Sequence, residues 1–170
     1  NPGCLVGTDP DTGAYRYARY SSTARTLNTS GTDMAPAVTV YYDTLGREMR
    51  SETLGLNGTP IYKDTIYDSY GSVKKASRPY FSGATAYWST PSYDVVGRVK
   101  SVTGPDGGVS STTYSGFTTT VTAPSSDDLK IRKRTEVKNS QGQVVTVQDR
   151  LGTDDSYSTI TYRYDAFGNL

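Results

Sequence analysis

Histidine is absent from the 170 residues, and cysteine occurs once, at Cys4. Without histidine the chain lacks the commonest general base and metal ligand, and a single cysteine forms neither an internal disulfide nor a thiolate cluster. No cofactor is implied, and most catalytic templates are excluded. Large aliphatic residues are also scarce: Leu, Ile, Val and Phe make up 29 residues, about 17%, below the ~20% level at which disorder becomes a concern. No apolar run approaches the ~20 residues of a membrane helix. The first residues, "NPGCLVG", lack an initiator Met and the basic and apolar regions of a signal peptide, so the chain reads as beginning within a longer protein. Charge of one sign is lacking too. Eighteen basic and 17 acidic residues leave a net charge of +1. Only Lys130, Arg132, Lys133 and Arg134 cluster, too few for a phosphate-binding stripe, which excludes nucleic acid as a partner.

What is present is 15 Tyr, 25 Thr and 19 Ser, a β-favouring alphabet without the self-repulsion of a disordered tail. Such a chain folds, but around a thin core: a sheet burying little on either face. The sequence also repeats. "YYDTLGRE" at 41, "IYDSYGSV" at 66, "SYDVVGRV" at 92 and "RYDAFGNL" at 163 align, with "VKNSQGQV" at 137 as a worn copy and "TYSGFTTTVT" at 113 as a shortened one. Taking the Tyr position as register, copies fall at Tyr42, Tyr67, Tyr93, Tyr114, Lys138 and Tyr164, at spacings of 25, 26, 21, 24 and 26. A period in this range marks an array.

The Asp-x-x-Gly core of each copy has a turn chemistry. Asp at the first position of a type I turn accepts hydrogen bonds from backbone N–H groups within the turn, and Gly at the fourth takes a left-handed conformation. That is the hairpin loop in which a type I turn ends in a bulge. The pattern assigns Asp43 and Gly46, Asp68 and Gly71, Asp94 and Gly97, Gly142, and Asp165 and Gly168 to hairpin tips, with Tyr42, Tyr67, Tyr93 and Tyr164 entering them. The flanks alternate with period two: Val38, Val40 and Tyr42 share a face, as do Ile160, Tyr162 and Tyr164. Each repeat is therefore one hairpin. The apolar residue before the turn glycine, Leu45, Tyr70, Val96 or Phe167, is expected to fold over the hairpin end. Segments 53–60, 77–91, 103–108 and 123–128 carry the Gly, Pro, Asn and Asp of loops. The expected fold is all-β: tandem hairpins forming a single curved antiparallel sheet. Residues 1–33 are an N-terminal extension or irregular preceding repeat, and 34–170 an array of about six hairpins, truncated at its C-terminal end.

Tyr-Asp-x-x-Gly-Arg at this period resembles the YD repeat of the bacterial rearrangement-hotspot (RHS) proteins, also found in toxin-complex components and in teneurins. The resemblance covers residues 34–170 and rests on "YYDTLGRE", "SYDVVGRV" and "RYDAFGNL"; "YDSYGSV" lacks the Arg. It implies a strip of hairpins spiralling into a hollow shell that encloses a C-terminal toxin or other cargo, and a secreted or cell-surface location in bacteria. Six two-stranded repeats at ~4.8 Å per strand make a strip of about 58 Å, which would close into a ring only about 18 Å across. By that estimate the chain is wall without cargo, and the family's self-cleaving boundary has no counterpart in it. The implied partners are the remainder of the parent shell and its contents, and exposed sheet edges invite self-association.

Other residues carry weaker alternatives. The repeat tyrosines suit cross-strand packing, or a carbohydrate-binding face at a cell surface. Asp9 and Asp11 in "DPDTG" open like a calcium loop but lack its later ligands. Asp127–Asp128 and Asp154–Asp155 are loose carboxylate pairs. Arg47 and Arg98 either bridge to a neighbouring hairpin's Asp or are solvated. Trp88, beside Tyr87 and Phe81, belongs to a satellite cluster or a contact site. Asn28 and Asn57 head glycosylation sequons.

Overall fold

The computed structural model describes residues 3–123, 131–152 and 157–169. Every regular element among them is a strand, and all pairing is antiparallel. In chain order these are β1 (Cys4–Thr8), β2 (Tyr15–Ala18), β3 (Tyr20–Ala24), β4 (Val38–Tyr42), β5 (Glu48–Leu54), β6 (Pro60–Tyr67), β7 (Val73–Ser77), β8 (Tyr80–Phe81), β9 (Trp88–Tyr93), β10 (Val99–Thr103), β11 (Val109–Ser115), β12 (Thr118–Ala123), β13 (Ile131–Lys138), β14 (Val144–Gly152) and β15 (Ser158–Thr161). β1 and β2 form a separate pair. The others form one sheet whose strand order follows the sequence from β3 to β15, with β8 set beside β6. The chain divides into two compact units, Asn1–Thr90 and Pro91–Leu170.

In the first unit the sheet starts before the repeats, because β3 pairs with β4 from Tyr20↔Tyr42 to Ala24↔Val38. Two stretches expected as loops are themselves hairpin turns. At 55–59 the Gly55 N–H donates to the Thr59 carbonyl (2.9 Å) and the Gly58 N–H to the Gly55 carbonyl (2.9 Å). At 104–108 in the second unit Gly104 and Gly107 repeat both bonds. Glycine opens these turns, so Asn57 and Asp106, two places later, supply the side-chain acceptors instead, for Thr59 N–H and Gly108 N–H. The meander therefore turns tightly at both ends of its strands. The 77–91 segment likewise contains β8 and the start of β9; Trp88 is half-buried on β9, opposite Ser77. Residues 124–128 of the last expected loop lie outside the described residues, as do Asp127, Asp128, Asp154 and Asp155.

The core is thin. Val6, Ala18 and Ile66 in the first unit and Val147 in the second are the fully buried apolar residues among those described. In the first unit a polar knot sits alongside them. Asp64 on β6, 2% exposed, takes a bidentate pair from Arg50 on β5 (both 2.8 Å), accepts the Tyr80 hydroxyl, and has Arg16 Nη1 at 3.7 Å. Its own N–H donates to Ser77 Oγ (2.8 Å). Arg16, on β2, also donates to the carbonyls of Met49 (3.0 Å) and Thr65 (2.7 Å). Burial pushes the Tyr80 hydroxyl up to about 12, with the hydrogen bond to Asp64 adding to it; burial pulls the Arg16 guanidinium below its ordinary value. Alternation along β2 puts Arg16 and Ala18 inward and Tyr15 and Tyr17 outward, so the β1–β2 pair is held onto the sheet by charge as well as by Val6. Its backbone comes close at Gly7, where φ is +127° and a Cβ would stand 3.2 Å from Arg50 Nη2.

In the second unit the register aligns hydroxyls into ladders. Thr113, Thr120, Thr135, Gln148 and Thr159 stand side by side across β11 to β15. The flanking row is Ser115, Thr118, Val137, Thr146 and Thr161. Thr120 and Thr135 bond hydroxyl to hydroxyl at 3.2 Å. The Thr-rich composition thus builds one face of a half-exposed sheet, where β-branched side chains pack across the strands.

Removing Asp64 leaves two guanidinium groups and a tyrosine hydroxyl without their shared acceptor. Asp64→Ala is expected to cost about 3–5 kcal/mol, read from denaturant unfolding of the first unit through the fluorescence of Trp88; a loss under 1 kcal/mol would show that the knot does not hold β2.

Candidate functional site: the interlocked hairpin tips

Among the described residues six turns open with Asp or Asn, at Asn28, Asp43, Asp68, Asp94, Asn139 and Asp165, and share one geometry. The glycine N–H (Gly31, Gly46, Gly71, Gly97, Gly142, Gly168) donates to the carbonyl of the opening residue at 3.0–3.2 Å. Oδ1 of that residue accepts the N–H groups two and four positions on, at 2.8–3.0 Å in all six. The ladder then resumes with a bulge, seen in the register shifts at Tyr41/Tyr42, Ile66/Tyr67 and Val137/Lys138.

The second carboxylate oxygen explains the arginine. Arg47 Nε donates to Asp43 Oδ2 at 2.7 Å, and Arg98 Nε to Asp94 Oδ2 at 2.7 Å. The sequence left a neighbouring hairpin's Asp or solvent as partners; the arginine turns back to the aspartate of its own turn instead, because a reach of four residues around a tight turn is shorter than one across two strands. What crosses to the neighbour is the ring. Arg47 lies 4.2 Å from the Tyr67 ring centroid and Arg98 4.2 Å from that of Tyr114, each tyrosine belonging to the following hairpin. The Tyr67 hydroxyl donates to the Glu48 carbonyl (3.0 Å), that of Tyr114 to Val99 (3.0 Å) and that of Tyr164 to Val144 (2.9 Å). In all three the acceptor lies two residues after the preceding turn's glycine position. Tyr20 and Tyr42 stack at 4.9 Å at the start of the repeats, and Tyr93 is half-buried at the end of β9.

Gly71 lies beside the Arg47 guanidinium. Its φ is +90°, and a Cβ would stand 3.4 Å from Arg47 Nη1, a buried nitrogen without a hydrogen-bond partner among the described residues. The glycine's positive φ serves its own turn, and the preceding arginine lies within packing distance of it. The worn copy keeps the device with other atoms: Asn139 Nδ2 donates to Gln143 Oε1 (2.7 Å), and Gln143 Nε2 stands 3.1 Å from where a Gly168 Cβ would be. In the last copy Asn169 Nδ2 donates to Asp165 Oδ2 (3.0 Å). The first and fifth turn positions thus pair through their side chains in four of the turns, Asp with Arg twice, Asn with Gln and Asp with Asn, while Ser72 meets Asp68 through its backbone N–H. That i,i+4 pairing is the sequence signal that would have revealed the interlock.

These carboxylates are committed to the turns. Burial of Asp43 raises its pKa, but the Arg47 N–H and guanidinium and the Leu45 N–H outweigh it and leave the group below the usual carboxylate range. Asp94 has the same balance with Arg98 and Val96, and the Asn169 side chain leads the lowering at Asp165. The expected folding of Leu45, Tyr70, Val96 and Phe167 over the hairpin ends does not occur: all four stand in solvent, 68–94% exposed. The turn's interior is filled by the Asx side chain and its hydrogen bonds, which leaves the third turn position pointing outward. Asp9 Oδ1 caps its own turn through the N–H groups of Asp11 (2.8 Å) and Thr12 (3.2 Å), while Asp11 pairs with Lys74 (2.8 Å) and Lys75. Among the described residues no three His, Cys, Asp or Glu side chains are placed to share a metal ion. Apart from the tips, a hollow of about 450 Å3 in the second unit is lined by Val121, Ala123, Arg132, Arg134 and Asp149, with Arg134 and Asp149 paired at 3.5 Å.

No protein-family model matches the chain, and no curated protein is significantly similar to it.

The Arg47–Tyr67 contact is expected to give a coupling of about 0.5–1 kcal/mol in a double-mutant cycle of Arg47→Ala and Tyr67→Leu, measured by urea unfolding; additive losses would remove the link between hairpins. The lowered pKa values of Asp43, Asp94 and Asp165 set an acid limit. Because the folded values lie below the unfolded ones, the stabilisation is complete above about pH 4 and is lost as pH falls through the folded values. Stability should therefore hold level from pH 7 to 5 and decline below about pH 4, with a shallower decline in Asp43→Asn.

Proposed function

We propose that this chain is a wall segment: a non-catalytic stretch of a YD-repeat shell that surrounds a toxin or other enclosed chain, in a secreted or cell-surface bacterial protein. The observation that carries the reading is the interlock itself. The tips opened by Asp43, Asp94 and Asn139 are each completed by a tyrosine of the hairpin that follows, an arrangement that can be repeated along an array and needs no substrate to explain its polar residues. The ladder of Thr and Ser hydroxyls on one face supports the same reading, since a polar lining offers no broad apolar surface on which a held chain would stick permanently. For a carbohydrate-binding role the ring faces of the repeat tyrosines would have to be free. Those of Tyr67 and Tyr114 are covered on one side by guanidinium groups.

The test extends the chain along its own reading frame and asks whether a segment lying beyond the repeats is shielded. The expected outcome is that protease leaves that segment intact while the repeats are folded and digests it once the repeats are unfolded by denaturant. Digestion at the same rate in both states would overturn the wall reading, and binding on a glycan array that is lost on substituting exposed tyrosines would favour the alternative.

A further inference from the structure

Asn57 and Gly58 stand exposed at the tip between β5 and β6. An asparagine followed by glycine is the arrangement in which the next backbone nitrogen reaches the side-chain amide carbon most freely, because glycine has no Cβ to stand in the way. Asn57 Oδ1 accepts only the Thr59 N–H (3.0 Å), and Asn57 Nδ2 has no partner among the described residues. Other asparagines are held more firmly and precede residues that carry side chains. Asn28, before Thr29, accepts the Ser30 and Thr32 N–H groups and the Ser30 hydroxyl. Asn139, before Ser140, accepts the Gln141 and Gln143 N–H groups and donates through Nδ2 to Gln143.

A second turn of the molecule already holds an aspartate at the equivalent place. In the turn at 104–108 Asp106 stands where Asn57 does, Gly104 and Gly107 make the same two backbone bonds as Gly55 and Gly58, and the Gly108 N–H donates to Asp106 Oδ1 at 3.1 Å. The glycine φ is +82° at Gly107 and +74° at Gly58. Both side chains fold back over the opening glycine, where a Cβ would stand 3.2 Å from Asn57 Oδ1 and 2.6 Å from Asp106 Oδ1. An aspartate is therefore compatible with every bond of this turn.

We propose that Asn57 is a self-modification site, converting to aspartate at its own turn with water as the only co-reactant. The Gly58 nitrogen bonds to Asn57 Cγ, the Cγ–Nδ2 bond breaks, and the amide leaves as ammonia with the proton given up by Gly58, closing a succinimide ring. Water then opens the ring at Cγ to give aspartate, or at the main-chain carbonyl carbon to give isoaspartate. The Thr59 N–H on Oδ1 favours the attack, since the charge of the tetrahedral adduct collects on that oxygen. The Gly58 N–H bond to the Gly55 carbonyl (2.9 Å) opposes it, because that bond opens before the nitrogen reaches Cγ. One such exposed bond slows the folded chain by about two- to tenfold relative to the unfolded one. Aspartate keeps the turn and adds a negative charge to the tip; isoaspartate lengthens the main chain by one atom and cannot keep both backbone bonds. The inference concerns this tip alone and is independent of the wall reading.

Incubating the chain in mildly alkaline buffer, folded and in guanidinium chloride, and reading tryptic peptides by mass spectrometry tests it. The peptide 51–63, released by cleavage after Arg50 and Lys63, has Asn57 as its only asparagine. In the folded chain it is expected to gain the mass of amide-to-acid conversion about two- to tenfold more slowly than in the unfolded chain. Part of the product should be isoaspartate, recognised by its methylation with isoaspartyl methyltransferase, while the peptides containing Asn28 and Asn139 keep their amides. Asn57→Gln, whose longer side chain closes the ring far less readily, is expected to leave the peptide unchanged, and Asn57→Asp to unfold at the same denaturant concentration as the native chain. A 51–63 peptide that keeps its amide in the folded chain long after the unfolded chain has converted, equal conversion at Asn28 or Asn139, or an Asn57→Asp variant that unfolds at lower denaturant would overturn the proposal.

Discussion

One carboxylate with its two oxygens divided between different tasks underlies the rest of the molecule. At Asp43 and Asp94, Oδ1 organises the turn by accepting two backbone N–H groups, and Oδ2 fixes an arginine. The turn alone would end a hairpin, and the arginine alone would be a solvated charge. Held by the aspartate, the guanidinium becomes a flat, immobile surface against which the next tyrosine packs, and the tyrosine hydroxyl reaches past it to the backbone. A local feature of five residues is converted into a bond between neighbouring hairpins. Chains so poor in large aliphatic residues need such a device, because burial of apolar area contributes little in a single layer.

The first unit adds a different solution to the same shortage. Arg16, Arg50, Asp64 and Tyr80 gather from β2, β5, β6 and β8 and satisfy one another where the β1–β2 pair meets the sheet. Burying such charges is costly unless every partner is present, and here the two arginines also reach the Tyr62 ring and two strand carbonyls. The second unit has no such cover in the described residues. Its Thr and Ser ladders leave both faces half-open, and its order rests on cross-strand pairs and tip locks.

The parts of this arrangement that were legible in the sequence are those determined within a few residues. Asp-x-x-Gly specifies its turn from local hydrogen-bond chemistry, and the alternation of Val, Thr and Tyr specifies strands; both appear in the fold at the stated residues. The Gly-x-Asn-Gly and Gly-x-Asp-Gly turns at 55–58 and 104–107 obey the same chemistry but place the acceptor at the third position, and reading them as loose loops overlooked that shift. The direction of Leu45, Val96 and Phe167 was not legible, because whether an apolar side chain folds inward depends on what already occupies the interior. The knot around Asp64 was out of reach as well: its members are separated by tens of residues, and no periodicity relates them.

Each lock joins a turn only to the hairpin that follows it in the chain. Nothing in the repeats waits for a distant segment, so a nascent hairpin can be sealed as soon as the following two dozen residues have left the ribosome, and the sheet grows from its N-terminal side with a single advancing edge. A molecule assembled in this order exposes just one unfinished strand at any moment, however long the array becomes.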